Sequence, residues 1–145
     1  MSEATVRKLV TAIPGPKSQE LHQNRLNHVS AGVGAALPVY IDHAHGAILT
    51  DVDGNQFIDL GSGIGVTTIG HTNDGVVKAV QEQVAKLTHT LFTVTPYQTY
   101  VRVCELLNKH TPGSFAKKSA LFNSGAEAVE NAVKFARKFT RKSEI

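Results

Sequence analysis

The feature that most constrains this chain is a short apolar run that passes through a Ser-Gly turn into a long amphipathic segment. Residues 119–122 predict a short buried strand, and a helix is predicted from Gly125 to about Thr140. Ser124 and Glu127 have the spacing of a capping box, which sets where that helix begins. A strand followed at once by a helix is typical of the α/β class. The apolar stripe of the helix consists of Val129, Ala132, Val133, Ala136 and Phe139.

The start of this helix can be interpreted in two ways. Gly125 has no side chain to keep a ligand away from the backbone, and the N–H groups of a helix N-terminus favour a bound dianion. A helix that is merely well capped, with no ligand, explains the same residues. The spacing alone leaves both interpretations open.

Upstream, the pattern divides the chain into three parts. Residues 1–36 form a polar arm, predicted to be loosely structured apart from one short helix. Residues 37–72 are rich in β-forming residues, contain an Asp-Gly hairpin signal at positions 53 and 54, and end in an ordered glycine-rich loop over 61–71. We expect residues 73–145 to open a second, incomplete α/β domain.

Three further helices are predicted from spacing and capping residues. The arm should hold one over about residues 18–29, and Asn73 or Asp74 should cap another that runs to about residue 87. Pro96 suits the first turn of the next, which should end near residue 111. Its buried stripe is predicted to be Tyr97, Tyr100, Val101, Cys104 and Leu107.

Charge and glycine spacing exclude several function classes. The net charge of +3 comes from fifteen Lys and Arg that are scattered along the chain, which does not predict a nucleic-acid or membrane partner. Gly61 and Gly63 lack the third glycine of a dinucleotide-binding fingerprint. His71 occupies the position of the phosphate-binding lysine in a Walker A loop. Nucleotide binding is therefore not expected.

The histidines and the single cysteine predict no metal or nucleophilic site. His43 and His45 share one side of a predicted strand, but Asp42 should point to the opposite face, so we expect surface histidines. Cys104 lies in an apolar stripe and is predicted to be a small core residue. One cysteine and no membrane-length apolar run indicate a cytoplasmic protein.

Three blocks of the sequence resemble class III aminotransferases, the ω-amino-acid branch of the enzymes that use pyridoxal 5′-phosphate (PLP). The resemblance runs from about Val39 to the end, and it is strongest to the branch that acts on 4-aminobutyrate. It implies an α/β fold of PLP-dependent transferase fold type I, of which the chain covers the N-terminal small-domain segment and the start of the large domain. The matching blocks are 51–55 with 57–59, 63–66 with 70–71, and 123–128.

The resemblance also implies which residues contact the cofactor and substrate. The backbone N–H groups of Gly125 and Ala126 would hold the PLP phosphate, with Ser124 completing the turn that aims them. Ile64 would form an apolar wall of the substrate pocket. No residue of this chain is expected to be catalytic, because the Schiff-base lysine is expected beyond residue 145. The 145 residues alone should therefore be inactive.

For the whole enzyme, the resemblance implies transfer of the amino group of 4-aminobutyrate to 2-oxoglutarate, which gives succinate semialdehyde and glutamate. The expected partners are the small-molecule amino donor, the 2-oxo acid and a second copy in a homodimer. One alternative is another class III enzyme, an acetylornithine or ornithine aminotransferase or an aminomutase. Another is a short, non-catalytic phosphate-binding or dimerisation module.

Overall fold

The computed structural model describes residues 7–144, which form two compact units that divide between Lys86 and Leu87. The domain boundaries predicted after residues 36 and 72 stay predictions. The first unit contains α1 (Pro16–His28), β1 (Ile41–His45), β2 (Ile48–Asp51), β3 (Gln56–Ile58), the short turn α2 (Ser62–Gly65) and α3 (Asp74–Lys86). The second contains α4 (Gln98–His110) and α5 (Gly125–Thr140).

The three strands form an antiparallel sheet in the order β1-β2-β3. The turn between β2 and β3 lies where the Asp-Gly pair predicts a hairpin, and Gly54 adopts a φ of +88°, which glycine allows without strain. The Gly54 N–H donates to the Asp51 carbonyl at 3.0 Å, and the Asp51 N–H donates to the Asn55 carbonyl at 2.9 Å. The hairpin prediction is confirmed.

Asn55 ties the N-terminal arm to this hairpin. Its side chain is fully buried, and its oxygen accepts the N–H groups of Val10 and Thr11 at 2.8 and 3.0 Å. Its amide nitrogen donates to the Thr11 hydroxyl at 2.9 Å and to the Asp51 carboxylate at 2.8 Å. The expectation of a loosely structured arm is wrong here, because a residue of the hairpin turn also binds the arm.

Helix α1 is capped by a residue from that same turn. Its own N-cap, Gly15, has no side chain, and the Asp53 carboxylate accepts the N–H groups of Lys17 and Ser18 at 2.8 and 2.9 Å. Burial raises the pKa of Asp53, but these N–H bonds outweigh it and hold the pKa below the ordinary aspartate value. The hairpin turn therefore places α1.

Strand β1 is irregular at Asp42. The register of β1 against β2 shifts between Ile41 and His43, as in a β-bulge, and the Asp42 carboxylate lies 2.8 Å from His43 Nδ1. The expectation that Asp42 points away from the histidines is therefore wrong, because the bulge breaks the alternation of faces. His45 Nδ1 lies 3.1 Å from the Thr72 hydroxyl. Within residues 7–144, no group of three or more His, Cys, Asp or Glu could hold a metal ion.

Helix α4 begins at Gln98, with Tyr97 as its N-cap. Pro96 therefore lies before the cap, and its predicted place in the first turn is wrong. The reason is an aromatic cluster at this helix end: Tyr97 stays extended, at φ −137° and ψ 151°, with its ring edge-on to Phe92 at a centroid distance of 5.5 Å. Phe92 also stacks on Tyr100 at 4.1 Å.

Residues 119–122 do not form the predicted strand. A strand exchanges backbone hydrogen bonds with a neighbouring strand, and no strand of the described chain pairs with this segment. Side chains of α4 bind it instead. The Leu121 N–H donates to the Tyr100 hydroxyl at 2.9 Å, and the Ser119 hydroxyl donates to the Asn108 side chain at 2.7 Å.

The apolar faces of the helices are exposed. No hydrophobic side chain of the described residues is fully buried, and in α5 Val129 is 65% and Phe139 90% exposed. Cys104, predicted to be a core residue, is half-buried, and its thiol donates to the Ser119 carbonyl at 3.6 Å. Among residues 7–144 there is no helix with the length and hydropathy needed to span a bilayer.

Candidate functional site

Helix α5 spans the predicted residues, and both halves of its capping box are present. Ser124 is the N-cap, and its hydroxyl oxygen accepts the Glu127 N–H at 3.2 Å. One carboxylate oxygen of Glu127 accepts the N–H groups of Asn123 and Ser124 at 2.8 and 3.1 Å. The turn into the helix is thus held by its own residues.

Two N–H groups at this helix end remain available to a ligand. Those of Gly125 and Ala126 donate to no acceptor within the described residues, and a Cβ atom on Gly125 would meet no atom within 4 Å. The positive end of the helix dipole adds to these donors. Ser124, Gly125 and Ala126, called the phosphate cradle below, therefore fit the phosphate of PLP in donor chemistry and in space.

The glycine-rich loop is ordered, as predicted, and contains a left-handed turn. Ser62, Gly63, Ile64 and Gly65 have φ angles of 48°, 60°, 61° and 78°. This conformation costs an L-residue about 1–2 kcal/mol, and positive φ is rare for a β-branched residue. Ile64 is 98% exposed. The turn therefore presents an apolar side chain to solvent from a strained backbone, and strained backbone conformations of this kind cluster at functional sites.

Asp59 lies at the start of the loop and His71 at its end. Asp59 Oδ2 is 2.6 Å from His71 Nε2, and the two side chains are only 11% and 22% exposed. Asp59 Oδ1 accepts the N–H groups of Gly61 and Ser62 at 2.9 and 2.8 Å. The hydrogen bonds from His71 and from Ser62 hold the pKa of the Asp59 carboxyl below its ordinary value.

The structure brings some of the predicted site residues together. Residues 124–126 lie side by side at one helix end, whereas Ile64 lies in the other compact unit. Sequence reasoning missed the Asp59–His71 pair. One available signal was an aspartate two residues before a glycine, which is typical of a side chain that binds the following backbone N–H groups. Nothing in the spacing of Asp59 and His71 predicts that they meet.

Residues 29–145 match the family model for Aminotransferase class-III. The chain is 61% identical over 139 residues to the 4-aminobutyrate aminotransferase of Mycobacterium bovis, which covers 96% of this chain and 31% of that protein. It is 44% identical over 128 residues to the 5-aminovalerate aminotransferase DavT of Pseudomonas putida, which covers 88% of this chain and 30% of that protein. The chain thus spans less than a third of the length of these relatives.

A solved omega-transaminase from Sphaerobacter thermophilus has a similar structure. The TM-score is 0.79 at 26% sequence identity, over 91% of this chain and 30% of that one. This similarity confirms the predicted fold type I for the part of that fold which this chain covers. Because the family model covers most of the residues, the chain belongs to the class-III aminotransferase family.

Proposed function

We propose that the full-length protein is a PLP-dependent aminotransferase that moves the amino group of 4-aminobutyrate to 2-oxoglutarate, giving succinate semialdehyde and glutamate. The observation that carries this proposal is the pair of unpartnered N–H groups at Gly125 and Ala126, in a chain 61% identical to a 4-aminobutyrate aminotransferase. PLP, when bound, supplies the electron sink that lets an amino group leave one carbon and later join another.

The phosphate cradle anchors the cofactor by groups that are already in place. The capping box occupies the N–H groups of Asn123, Ser124 and Glu127, so the two donors left over have a fixed direction. Donors that need no rearrangement bind an anion without an added ordering cost. Gly125 lets the phosphate approach the backbone closely.

Ile64 supplies an apolar wall for the carbon chain of the amino donor. Its side chain is 98% exposed on the left-handed turn, so the wall is available to a ligand that stands against the loop. The methylene groups of 4-aminobutyrate match an apolar surface, and covering them removes water from both. The cradle and this wall are the two contributions that we assign to the chain.

A second candidate donor is 5-aminovalerate, which is one methylene longer. The 44% identity to a 5-aminovalerate aminotransferase favours it. One methylene in an apolar pocket changes discrimination by roughly 10- to 200-fold. The ratio of kcat/KM for the two donors, measured on the full-length protein, decides between them, and a ratio in favour of 5-aminovalerate contradicts the first assignment.

We also propose that the protein is a cytoplasmic homodimer whose other partners are the amino donor and the 2-oxo acid. Apolar side chains such as Val129 and Phe139 are exposed, and exposed apolar surface of this kind is typically covered by another protein surface. A second subunit can contribute that surface, which supports the dimer. The single cysteine supports a reducing compartment. Sedimentation of the full-length protein tests the dimer, and a pure monomer at micromolar concentration contradicts it.

The cradle is tested by titrating apo full-length protein with PLP. Gly125→Val should weaken PLP binding by about tenfold or more, because the new side chain stands where the phosphate meets the backbone. Inorganic phosphate should compete with PLP in the wild type and compete less in the variant. Production of succinate semialdehyde from 4-aminobutyrate tests the reaction itself.

Gly75→Val is the matched control. Gly75 also lies in the first turn of a helix, α3, but its N–H already donates to Asn73 Oδ1 at 3.1 Å. This variant should keep the PLP affinity of the wild type. Unchanged affinity in Gly125→Val, or an equal loss in both variants, contradicts the cradle.

A further inference from the structure

The glycine-rich loop is closed into a ring by one carboxylate. Asp59 Oδ1 accepts the N–H groups of Gly61 and Ser62, and its Oδ2 lies 2.6 Å from Nε2 of His71, twelve residues further along the chain. An ionised carboxylate only accepts hydrogen bonds, so Nε2 carries the proton. A single side chain thus fixes both the first residues of the loop and its last.

Both ends of the ring are also fixed to the sheet at one place. His71 exchanges two backbone hydrogen bonds with Gly46, at 2.8 and 3.0 Å, and the Asp59 N–H donates to the Ala47 carbonyl at 2.9 Å. Gly46 and Ala47 form the connection between β1 and β2. The Asp59–His71 pair therefore closes the loop at two residues that are also hydrogen-bonded to the β1–β2 connection, and the middle of the loop lies between these anchored ends.

That middle part holds the strained turn. Ser62 is the first residue of the turn with positive φ, and its N–H is one of the two that Asp59 accepts. Its hydroxyl lies 2.7 Å from the Thr67 hydroxyl, which braces the far side of the turn. A backbone with two non-glycine residues at positive φ persists only when surrounding contacts hold it. Asp59 supplies a contact at the point where the left-handed stretch begins.

We infer that Asp59 and His71 are positioning residues for the amino donor: their hydrogen bond holds the left-handed turn so that Ile64 stands at a fixed place against the carbon chain of the donor. This inference rests on the proposed function. Neither residue touches the donor, and neither contributes to the phosphate cradle. Breaking the pair should therefore weaken the use of the donor and leave PLP affinity unchanged.

The experiment uses full-length holoenzyme with His71→Ala and His71→Gln. His71→Ala removes the donor to Asp59, and we expect KM for 4-aminobutyrate to rise about tenfold, as for a lost hydrogen bond to a charged group, with kcat changed much less. His71→Gln should restore most of the loss, because its amide nitrogen lies at about the distance of Nε2 from the backbone. PLP titration should give the wild-type affinity for both variants.

A second readout does not depend on activity. Amide hydrogen exchange across residues 61–71 should become faster in His71→Ala and return towards the wild-type rate in His71→Gln. Thr67→Val, which removes only the hydroxyl that braces Ser62, is the milder variant and should produce a smaller change in the same two readouts. If His71→Ala does not fold, Thr67→Val still shows whether loosening the turn raises KM, and an unchanged KM with faster exchange overturns the inference.

His43→Ala is the matched control, because His43 also pairs with an aspartate at 2.8 Å, but both side chains are more than 60% exposed. It should change neither KM nor exchange in the loop. Unchanged exchange over 61–71 in His71→Ala overturns the inference, and so does faster exchange with an unchanged KM. If the wild type itself transaminates no ω-amino acid, the proposed function fails first, and the exchange data still show whether the pair holds the loop.

Discussion

A Cβ atom on Gly15 would lie 2.5 Å from Oδ2 of Asp53 and 2.7 Å from its Cβ. Because Gly15 has no side chain, there is room beside it for the Asp53 carboxylate that caps α1. The φ of Gly15 is −73°, which any residue can adopt, so space and not backbone conformation requires the glycine. Helix α1 and the β2–β3 hairpin turn thus pack closely at the contact between Gly15 and Asp53.

Gly15→Ala should lower the free energy of unfolding by about 1–3 kcal/mol, as overpacking does. The added methyl group forces Asp53 away from the N–H groups of Lys17 and Ser18. Thermal unfolding of the full-length protein and amide exchange at the start of α1 measure the effect. Gly34→Ala is the control, because a Cβ there meets no atom within 4 Å. Equal behaviour of the two variants would contradict the contact.

The charge of Asp53 should make the folded protein less stable as the pH falls through the acidic range. Its pKa in the folded chain lies below 3.8, so the unfolded chain takes up the proton first as the pH falls. The stabilisation is complete above about pH 4 to 5 and is lost as the pH falls through the lowered folded value. Asp53→Asn should be less stable than the wild type at neutral pH.

That difference should begin to shrink below about pH 4, where the unfolded chain takes up the proton, and should be smallest once the pH has passed the lowered folded pKa of Asp53. Urea unfolding at a series of pH values measures it. Asp42→Asn, at an exposed carboxylate, is the control and should stay close to the wild type throughout. A difference for Asp53→Asn that is constant with pH would show that the charge is not what holds α1.

Tyr100→Phe should loosen the segment that leads into the phosphate cradle. The variant keeps the ring that stacks on Phe92 and removes only the oxygen that accepts the Leu121 N–H at 2.9 Å. A lost hydrogen bond of this kind costs about 1 kcal/mol. Amide exchange at Leu121 in the full-length protein should become faster. In Tyr97→Phe, whose hydroxyl has no hydrogen-bond partner within residues 7–144, that exchange rate should not change.

Ile64→Asn should lower kcat/KM for 4-aminobutyrate without lowering the free energy of unfolding. Asparagine tolerates the left-handed region better than isoleucine, so the free energy of unfolding should not fall. The polar amide is a poor wall for methylene groups, and kcat/KM for 4-aminobutyrate should drop by about tenfold. Ile69→Asn is the control, as Ile69 is 63% exposed in the same loop and lies outside the turn. Loss of kcat/KM in Ile69→Asn alone would refute the assignment of Ile64.

Short-range features were predictable from the sequence. The spacing of Ser124 and Glu127 determines the start of α5, because each side chain binds a backbone group only three residues away. The Asp-Gly pair at positions 53 and 54 determines the hairpin for the same reason. The hairpin turn and the capped start of α5 could therefore be predicted from the sequence pattern, whereas their contacts with distant residues could not.

Features that depend on distant partners could not be read from the pattern. Gly15 and Asp53 are 38 positions apart, and no local rule connects them. Residues 119–122 have the composition of a strand, but a strand forms only where another strand pairs with it. Ile64 is a residue type that patterns place in strands and helices, and its left-handed backbone lies in a turn held by Asp59, by the Ser62–Thr67 hydroxyl pair and by backbone hydrogen bonds of the loop, none of which a local pattern predicts.

The closed ring of the glycine-rich loop limits how its length can change in evolution or engineering. Its ends at Asp59 and His71 are fixed to the same β1–β2 connection, and the hydroxyl pair of Ser62 and Thr67 spans the left-handed stretch. An inserted or deleted residue would break one of these closures. At the proposed wall, donor preference can therefore change by exchange of the side chain at position 64, while the number of residues between Asp59 and His71 stays constant.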